Sequence, residues 1–259
     1  MHNHEILNGK RRTMRYVILL AGLSALSLTS LAVETTPDDL LAARRAFDTR
    51  EIERAEVALL HTAEAHPDSY ADQFWAAEAC RLHATALRNQ RYIKDLSGKV
   101  KDAVREHQAE LGKTGLPFAE RALELAKTDA EKAQAHRVIA ELYTHRITGM
   151  ISGMRFGSSA KQHLDQALSL APDDPECRRT QGIMYLHNPP INGGDIPRAI
   201  EVFAKLSQEV PHSDIYPVLL AMAYRKHDEP EKAGEAAKQA LRINADNQDA
   251  QALTESLEP

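Results

Sequence analysis

Small and apolar residues recur along this chain at helical spacing and in phase from one stretch to the next, with no run of the clean alternation that a half-buried strand needs. Ala160, Leu164, Ala167 and Pro172 follow the spacing Ala-x3-apolar-x2-Ala-x4-Pro. Ala199, Phe203, Leu206 and Pro211 repeat it, and Ala233, Ala237, Ala240 and Ala245 repeat it with alanine for proline, 34 residues after the previous copy. Ala119, Leu123 and Ala126 form an earlier copy without the proline, and Ala55, Leu59, Thr62 and Pro67 the earliest. Between these copies lie partner segments marked by a small residue three before a tyrosine: Ala140 with Tyr143, Gly182 with Tyr185, Ala221 with Tyr224. Small residues at a crossing let two helices approach closely, larger ones fill the groove between neighbouring pairs, and the prolines stop each second helix. About five helix pairs are predicted over most of residues 38 to 245, with Asp246 to Leu257 as a capping helix.

The pattern resembles the tetratricopeptide repeat (TPR), whose 34-residue helix pair reads W-x2-L-G-x2-Y, then A-x3-F, then P. Ile139-Ala140 and Leu220-Ala221 stand where that motif has Leu-Gly, while His136, Arg178 and Pro217 replace its tryptophan. Leu40 to Phe47, the partner helix of the first repeat, is a poorer match. The resemblance implies an all-α fold, a right-handed superhelix (α-solenoid), and a non-catalytic scaffold that binds a peptide or protein in its concave groove. The groove is lined by the first helix of each pair. With Ala140 and Tyr143 turned to the packing, Arg137, Glu141 and Thr144 share another face, and the equivalent stripes are Phe74, Glu78 and Arg81; Arg179, Ile183 and Leu186; Val218, Met222 and Arg225. Arg137 and Arg179 are expected at matching heights on neighbouring helices, where a partner's carboxylate would relieve their repulsion and Glu141 would substitute for it in part.

Departures from the even pitch add three features. Ala55 to Ala119 spans 64 residues, so an inserted helical segment is expected near residues 88 to 116, with Ser97 as its cap. Within it Arg88, Arg91, Lys94, Lys99, Lys101, Arg105 and Lys113 make a basic stretch, read first as a solvated face and otherwise as a dock for an acidic partner. Enlarged turns are expected at 147 to 159 and 187 to 196, on the same side of two successive repeats. Met150, Met154 and Phe156 in the first of them suit adaptable apolar contact.

Charge and composition narrow the setting. Lys10, Arg11, Arg12 and Arg15 precede an uncharged apolar run from Tyr16 to Leu28 and then Ser30-Leu31-Ala32, the order of a signal peptide. Residues 1 to 32 are therefore expected to be removed after Ala32, giving a periplasmic or secreted repeat domain over residues 38 to 257. An uncleaved membrane anchor is the rival reading, and Met14 rather than Met1 is a plausible start. Removing four basic residues and Glu5 takes the net charge from −5 to −8, which argues against nucleic acid and against general attraction to anionic lipid. Cys80 and Cys177 lie two repeats apart and read as small buried residues rather than a disulfide.

No catalytic motif emerges. Gly112-Lys113-Thr114 lacks the upstream glycine of a phosphate loop, the 12 histidines include no H-E-x-x-H, and neither cysteine has a neighbouring histidine with which to form a nucleophile pair. No enzyme activity, metal or cofactor is expected. The alternative to a protein-interaction scaffold is a small-molecule or lipid-binding component of a transport system, architecturally similar to the T-component of certain solute transporters, and a closed apolar pocket under the Met150 to Phe156 turn would favour it.

Overall fold

The structure, a computed structural model, describes residues 35–257 apart from 46–47 and 94–95. The expected signal segment lies outside the described residues. Eleven α-helices follow one another with no strand among the described residues: α1 Pro37–Arg45, α2 Thr49–Ala65, α3 Tyr70–Ile93, α4 Gly98–Leu125, α5 Asp129–His145, α6 Met150–Leu170, α7 Pro175–His187, α8 Ile196–Glu209, α9 Ile215–Lys226, α10 Pro230–Ile243 and α11 Gln248–Leu257. None of the described helices is long and apolar enough to cross a membrane.

The helix starts are written in short polar side chains. Asp48 accepts from the amides of Arg50 and Glu51, Asp174 from that of Cys177, Asp195 from that of Arg198, and Asn247 from that of Ala250. At α5 the Thr128 hydroxyl accepts from the Glu131 amide while the Glu131 carboxylate accepts from the Thr128 amide, so two otherwise unpaired donors are satisfied reciprocally. Pro175, Pro197 and Pro230 occupy the first turns, where the missing N–H costs nothing.

Five pairs (α1/α2, α3/α4, α5/α6, α7/α8, α9/α10) stack, and α11 caps the last. Consecutive helices pack together, and each first helix also meets the first helix of the next pair, which is the contact pattern of a solenoid. All five alanine anchors, Ala55, Ala119, Ala160, Ala199 and Ala233, are buried, as are Ala140, Gly182 and Ala221 on the partner helices. Gly182 shows why the crossing residue is small: a Cβ there would lie 2.6 Å from Cε1 of Phe203.

The departures from the even pitch take specific forms, and the first enlarged turn is corrected. The extra residues of the second repeat are helical and lie within a lengthened α3 and α4, of 24 and 28 residues. Ser97 stands at the N-cap position of α4, as expected, in extended conformation, but its side chain makes no cap bond. Residues 150–159 are helix and not turn, because the Ser152 hydroxyl accepts from the amides of Thr148 and Gly149 and starts α6 at Met150. The 187–196 connection is a loop around a 3-10 turn, Pro190–Asn192, closed by the Asp195 amide donating to the Tyr185 carbonyl. Gly193 has φ +85°, and a Cβ on Gly194 would meet the Asn188 carbonyl oxygen at 1.9 Å, so this loop requires both glycines.

The lengthened α3 changes the architecture more than any insertion would. Its last turns reach the far end of the stack, where Asn89 Nδ2 donates to Asp249 Oδ2 of α11 at 2.8 Å. Arg225 Nη2 of α9 donates to the Tyr92 carbonyl at 2.6 Å, and Ile93 packs into the apolar core of α7, α8 and α9. The concave side is bridged from the second repeat to the cap.

Gly182→Ala should cost about 1–3 kcal/mol, the range for overpacking a core, and adding Phe203→Leu should recover part of that loss because the two residues share one crossing. Urea unfolding decides: a Gly182→Ala protein with the parent midpoint would mean that the α7/α8 crossing is not close.

Candidate functional site

The inner faces of the first helices carry charge into the middle of the molecule. Glu141 on α5 is 1% exposed and is gripped from three helices: Arg81 Nη1 of α3 at 3.0 Å, Arg137 Nη1 one turn back at 3.4 Å, and Arg179 Nη2 of α7 at 2.7 Å. The Thr180 hydroxyl donates to it as well, at 2.6 Å. Glu78 receives Arg81 through Nε at 2.7 Å and Nη2 at 2.6 Å, a bidentate fork, and Arg137 Nη2 at 3.2 Å. Glu176 takes Arg179 Nε at 3.0 Å and the Tyr216 hydroxyl at 3.2 Å. Burial alone would raise the carboxyl of Glu141, but Arg179, Arg81 and Arg137 outweigh it and hold that carboxyl well below the usual range. Glu78 and Glu176 shift the same way for the same reason.

Beside this cluster the α3 bridge leaves a cleft of about 390 Å³. Arg44, Arg81, Arg88 and Arg179 enter its wall; Leu82, Ile183, Val218 and Leu219 give it apolar surface; Asp249, Ala252 and Glu255 of α11 close one side. Arg88 is 4% exposed, yet its Nε and Nη2 have no hydrogen-bond partner. Asn89 Oδ1 is likewise unpaired. Next to Arg88 on the same helix, Thr85 meets the buried His145. Gln108 Nε2 donates to His145 Nδ1 at 2.9 Å, leaving Nε2–H to face the Thr85 hydroxyl at 3.3 Å, an arrangement that requires the neutral ring. Burial, with Arg88 nearby, pushes the His145 pKa well below its ordinary value.

Other groups of reactive type are held inert. Glu56 pairs with His83 at 2.6 Å and stands 3.7 Å from the Cys80 sulfur, and burial together with that carboxylate pushes the Cys80 thiol far up, away from thiolate chemistry. Burial raises Cys177 to about 12. The two cysteines sit in separate core clusters. Among the described residues no group of three His, Cys, Asp or Glu could hold a metal ion.

The structure gathers the predicted concave stripes on the inside, but turns most of them toward one another. Glu78, Arg81, Arg137, Glu141 and Arg179 are bound in the cluster, so the repulsion expected between Arg137 and Arg179 is relieved by carboxylates of the chain itself. Ile183, Leu186, Val218 and Met222 are core residues, Phe74 stacks on Tyr70 at 5.7 Å between ring centroids, and the Thr144 hydroxyl donates to the Ala140 carbonyl. Arg225 is spent on the α3 bridge. Of the twelve, only Arg81, Arg179, Ile183 and Val218 reach the cleft. Met150 and Met154 are exposed, whereas Phe156 lies under the Arg146 guanidinium, 4.1 Å from its ring centroid. Sequence reasoning missed Arg44, Glu176 and Arg88. Arg88 was legible: it continues the Arg81 stripe at i+7, with Thr85 at i+4, and its assignment to a solvated basic face is corrected here.

No protein-family model matches the sequence, and no curated protein matches it. Among solved structures, a thermophilic TPR protein of Thermus thermophilus aligns with a TM-score of 0.54 at 14% identity, covering 85% of this chain and 97% of that one. YrrB, a TPR protein with an unusual peptide-binding site, aligns with a TM-score of 0.42 at 16% identity over 85% and 88% of the respective chains. The first likeness shows the fold: this chain is an all-α, TPR-like solenoid.

The buried cluster sets the acid stability. In an unfolded chain carboxyls titrate near about 4 and histidine near about 6.5. Glu78, Glu141, Glu176 and His145 all take up protons at lower pH when folded, so the unfolded state binds more protons in between and stability rises with pH. Melting temperature should be highest above about pH 7, begin to fall as pH drops through about 6.5, and fall more steeply once the carboxylates protonate. His145→Gln should shrink the first limb without removing it, because burial also holds His187 well below its ordinary value and lowers His136 and His163. A stability unchanged from pH 7 to pH 5 in the parent protein would contradict the buried neutral His145.

Proposed function

We propose that the protein is a non-catalytic protein-interaction scaffold of the cell envelope whose partner docks on one edge of the stack rather than along the concave groove. The observation that carries this is where apolar surface remains uncovered. Of the six large apolar side chains exposed among the described residues, Met150 at 82%, Ile151 at 78% and Met154 at 69% lie at the start of α6, and Ile191 at 91% lies in the α7–α8 connection. The start of α6 and the α7–α8 connection both lie where a first helix gives way to its second in consecutive pairs, which a repeat stack places on the same edge. Exposed apolar groups grouped in this way mark interaction surfaces, and methionine adapts to the shape of a partner. The pairing of the concave charges with one another and the α3 bridge favour this edge over the concave face. The TPR-like fold supports a scaffold role by analogy only, and envelope location rests on the basic, apolar and small-residue order before Val33.

A tagged chain should capture its partner from the envelope fraction, and a variant carrying Met150→Ser, Met154→Ser and Ile191→Ser should lose it with an unaltered circular dichroism spectrum, since all three side chains are exposed. Capture undiminished by the triple change would move the interface off this edge.

A further inference from the structure

Two histidines away from the ionic cluster face each other across the third helix pair. His136 of α5 and His163 of α6 bring their Nδ1 atoms to 2.8 Å, with ring centroids 5.0 Å apart and both residues half-buried. His136 stands where the repeat motif carries tryptophan, so an apolar packing residue has given way to a ring that presents nitrogen to its neighbour. Only one proton fits between the two Nδ1 atoms, so one ring donates and the other accepts. Desolvation lowers both pKa values, and His136 adds to the effect at His163. Both rings are therefore neutral at neutral pH, the form in which imidazole binds metal.

We propose that His136 and His163 form a two-histidine chelate for a divalent transition ion, Cu2+ before Ni2+ or Zn2+, through their Nδ1 atoms and independently of the docking edge.

Three features select this chemistry. The 2.8 Å spacing matches the edge of a square-planar site with bonds of about 2.0 Å, whereas two nitrogens of a tetrahedral zinc site stand about 3.3 Å apart. Two imidazoles suit Cu2+, Ni2+ and Zn2+, while Mg2+ and Ca2+ take oxygen ligands, and no third His, Cys, Asp or Glu completes a site among the described residues. Water would therefore fill the remaining positions. The two donors come from different helices of one packed pair, and the Tyr143 ring, 6.0 Å from that of His163, flanks the site. Loading requires no net loss of a proton: the donating ring gives up its Nδ1 proton and takes one at Nε2, and both rings turn so that their Nδ1 lone pairs meet at the ion.

The probe is Cu2+ itself, titrated calorimetrically into the full chain in a non-coordinating buffer at about pH 7.5. All samples carry His2→Ser and His4→Ser, which remove histidines near the chain start that would take Cu2+ on their own. One site should be lost, or weakened at least tenfold, in His136→Gln and equally in His163→Gln, because a chelate needs both rings. In the protein with both rings that site should bind Cu2+ at least tenfold tighter than Zn2+. One equivalent of Cu2+ should also raise its melting temperature, since the ion binds a pair that exists only in the folded state, and should do so in neither glutamine variant. The Zn2+ comparison and the melting shift are read on the protein with both rings, so they hold even if a glutamine variant folds poorly. No Cu2+ site, a site that survives either glutamine change in a folded variant, Zn2+ bound as tightly, or a melting temperature that Cu2+ leaves unmoved would each overturn the proposal and would leave the docking edge untouched.

Discussion

The carboxylate of Glu141 must stay ionised in the interior, and the middle of the stack is arranged around that requirement. A buried carboxylate without partners would be protonated or would destabilise the fold by several kcal/mol; with guanidiniums arriving from α3, α5 and α7 it is held charged. Each arginine that serves it brings its own need for an anion, met by Glu78 and Glu176. The first helices of three successive repeats are thereby tied at one level by directional contacts. Apolar packing between helices, which tolerates sliding, fixes no such register.

That cluster also explains why this solenoid lacks an open concave groove. The residues that would line one are turned inward onto each other, and α3, running on to Ile93, crosses to α9 and α11. The consequence is a confined cleft with a cationic floor in place of a long trough. Exposed apolar surface is left instead at the connections of the third and fourth pairs.

The repeats were legible because their signal is redundant. Ala55, Ala119, Ala160, Ala199 and Ala233 each mark a close crossing, and one physical requirement repeated five times stands out from any single helix. The inner stripes were legible for the same reason, through i, i+4, i+7 spacing from Glu78 to Arg225. What they do was not legible. Charge at a concave position looks the same in sequence whether it awaits a partner or is paired across 38 residues, as Arg179 is with Glu141. The 64-residue spacing pointed to extra chain but not to its form, since two lengthened helices and one inserted helix have the same length. At Met150 the glycines suggested a turn, and the Ser152 cap, visible only as one serine among many, made it helix.

The central claim, that Glu141 and Arg179 are paired in a dry interior rather than offered to solvent, is tested most directly by a double-mutant cycle of Glu141→Gln and Arg179→Met, read by urea unfolding at low and high salt. The pair is 2.7 Å apart with both side chains 2% exposed. A coupling energy above about 1 kcal/mol, within the range for contacting residues and little changed by salt, is the predicted result. A coupling below about 0.5 kcal/mol that vanishes in salt, as exposed pairs give, would contradict the account.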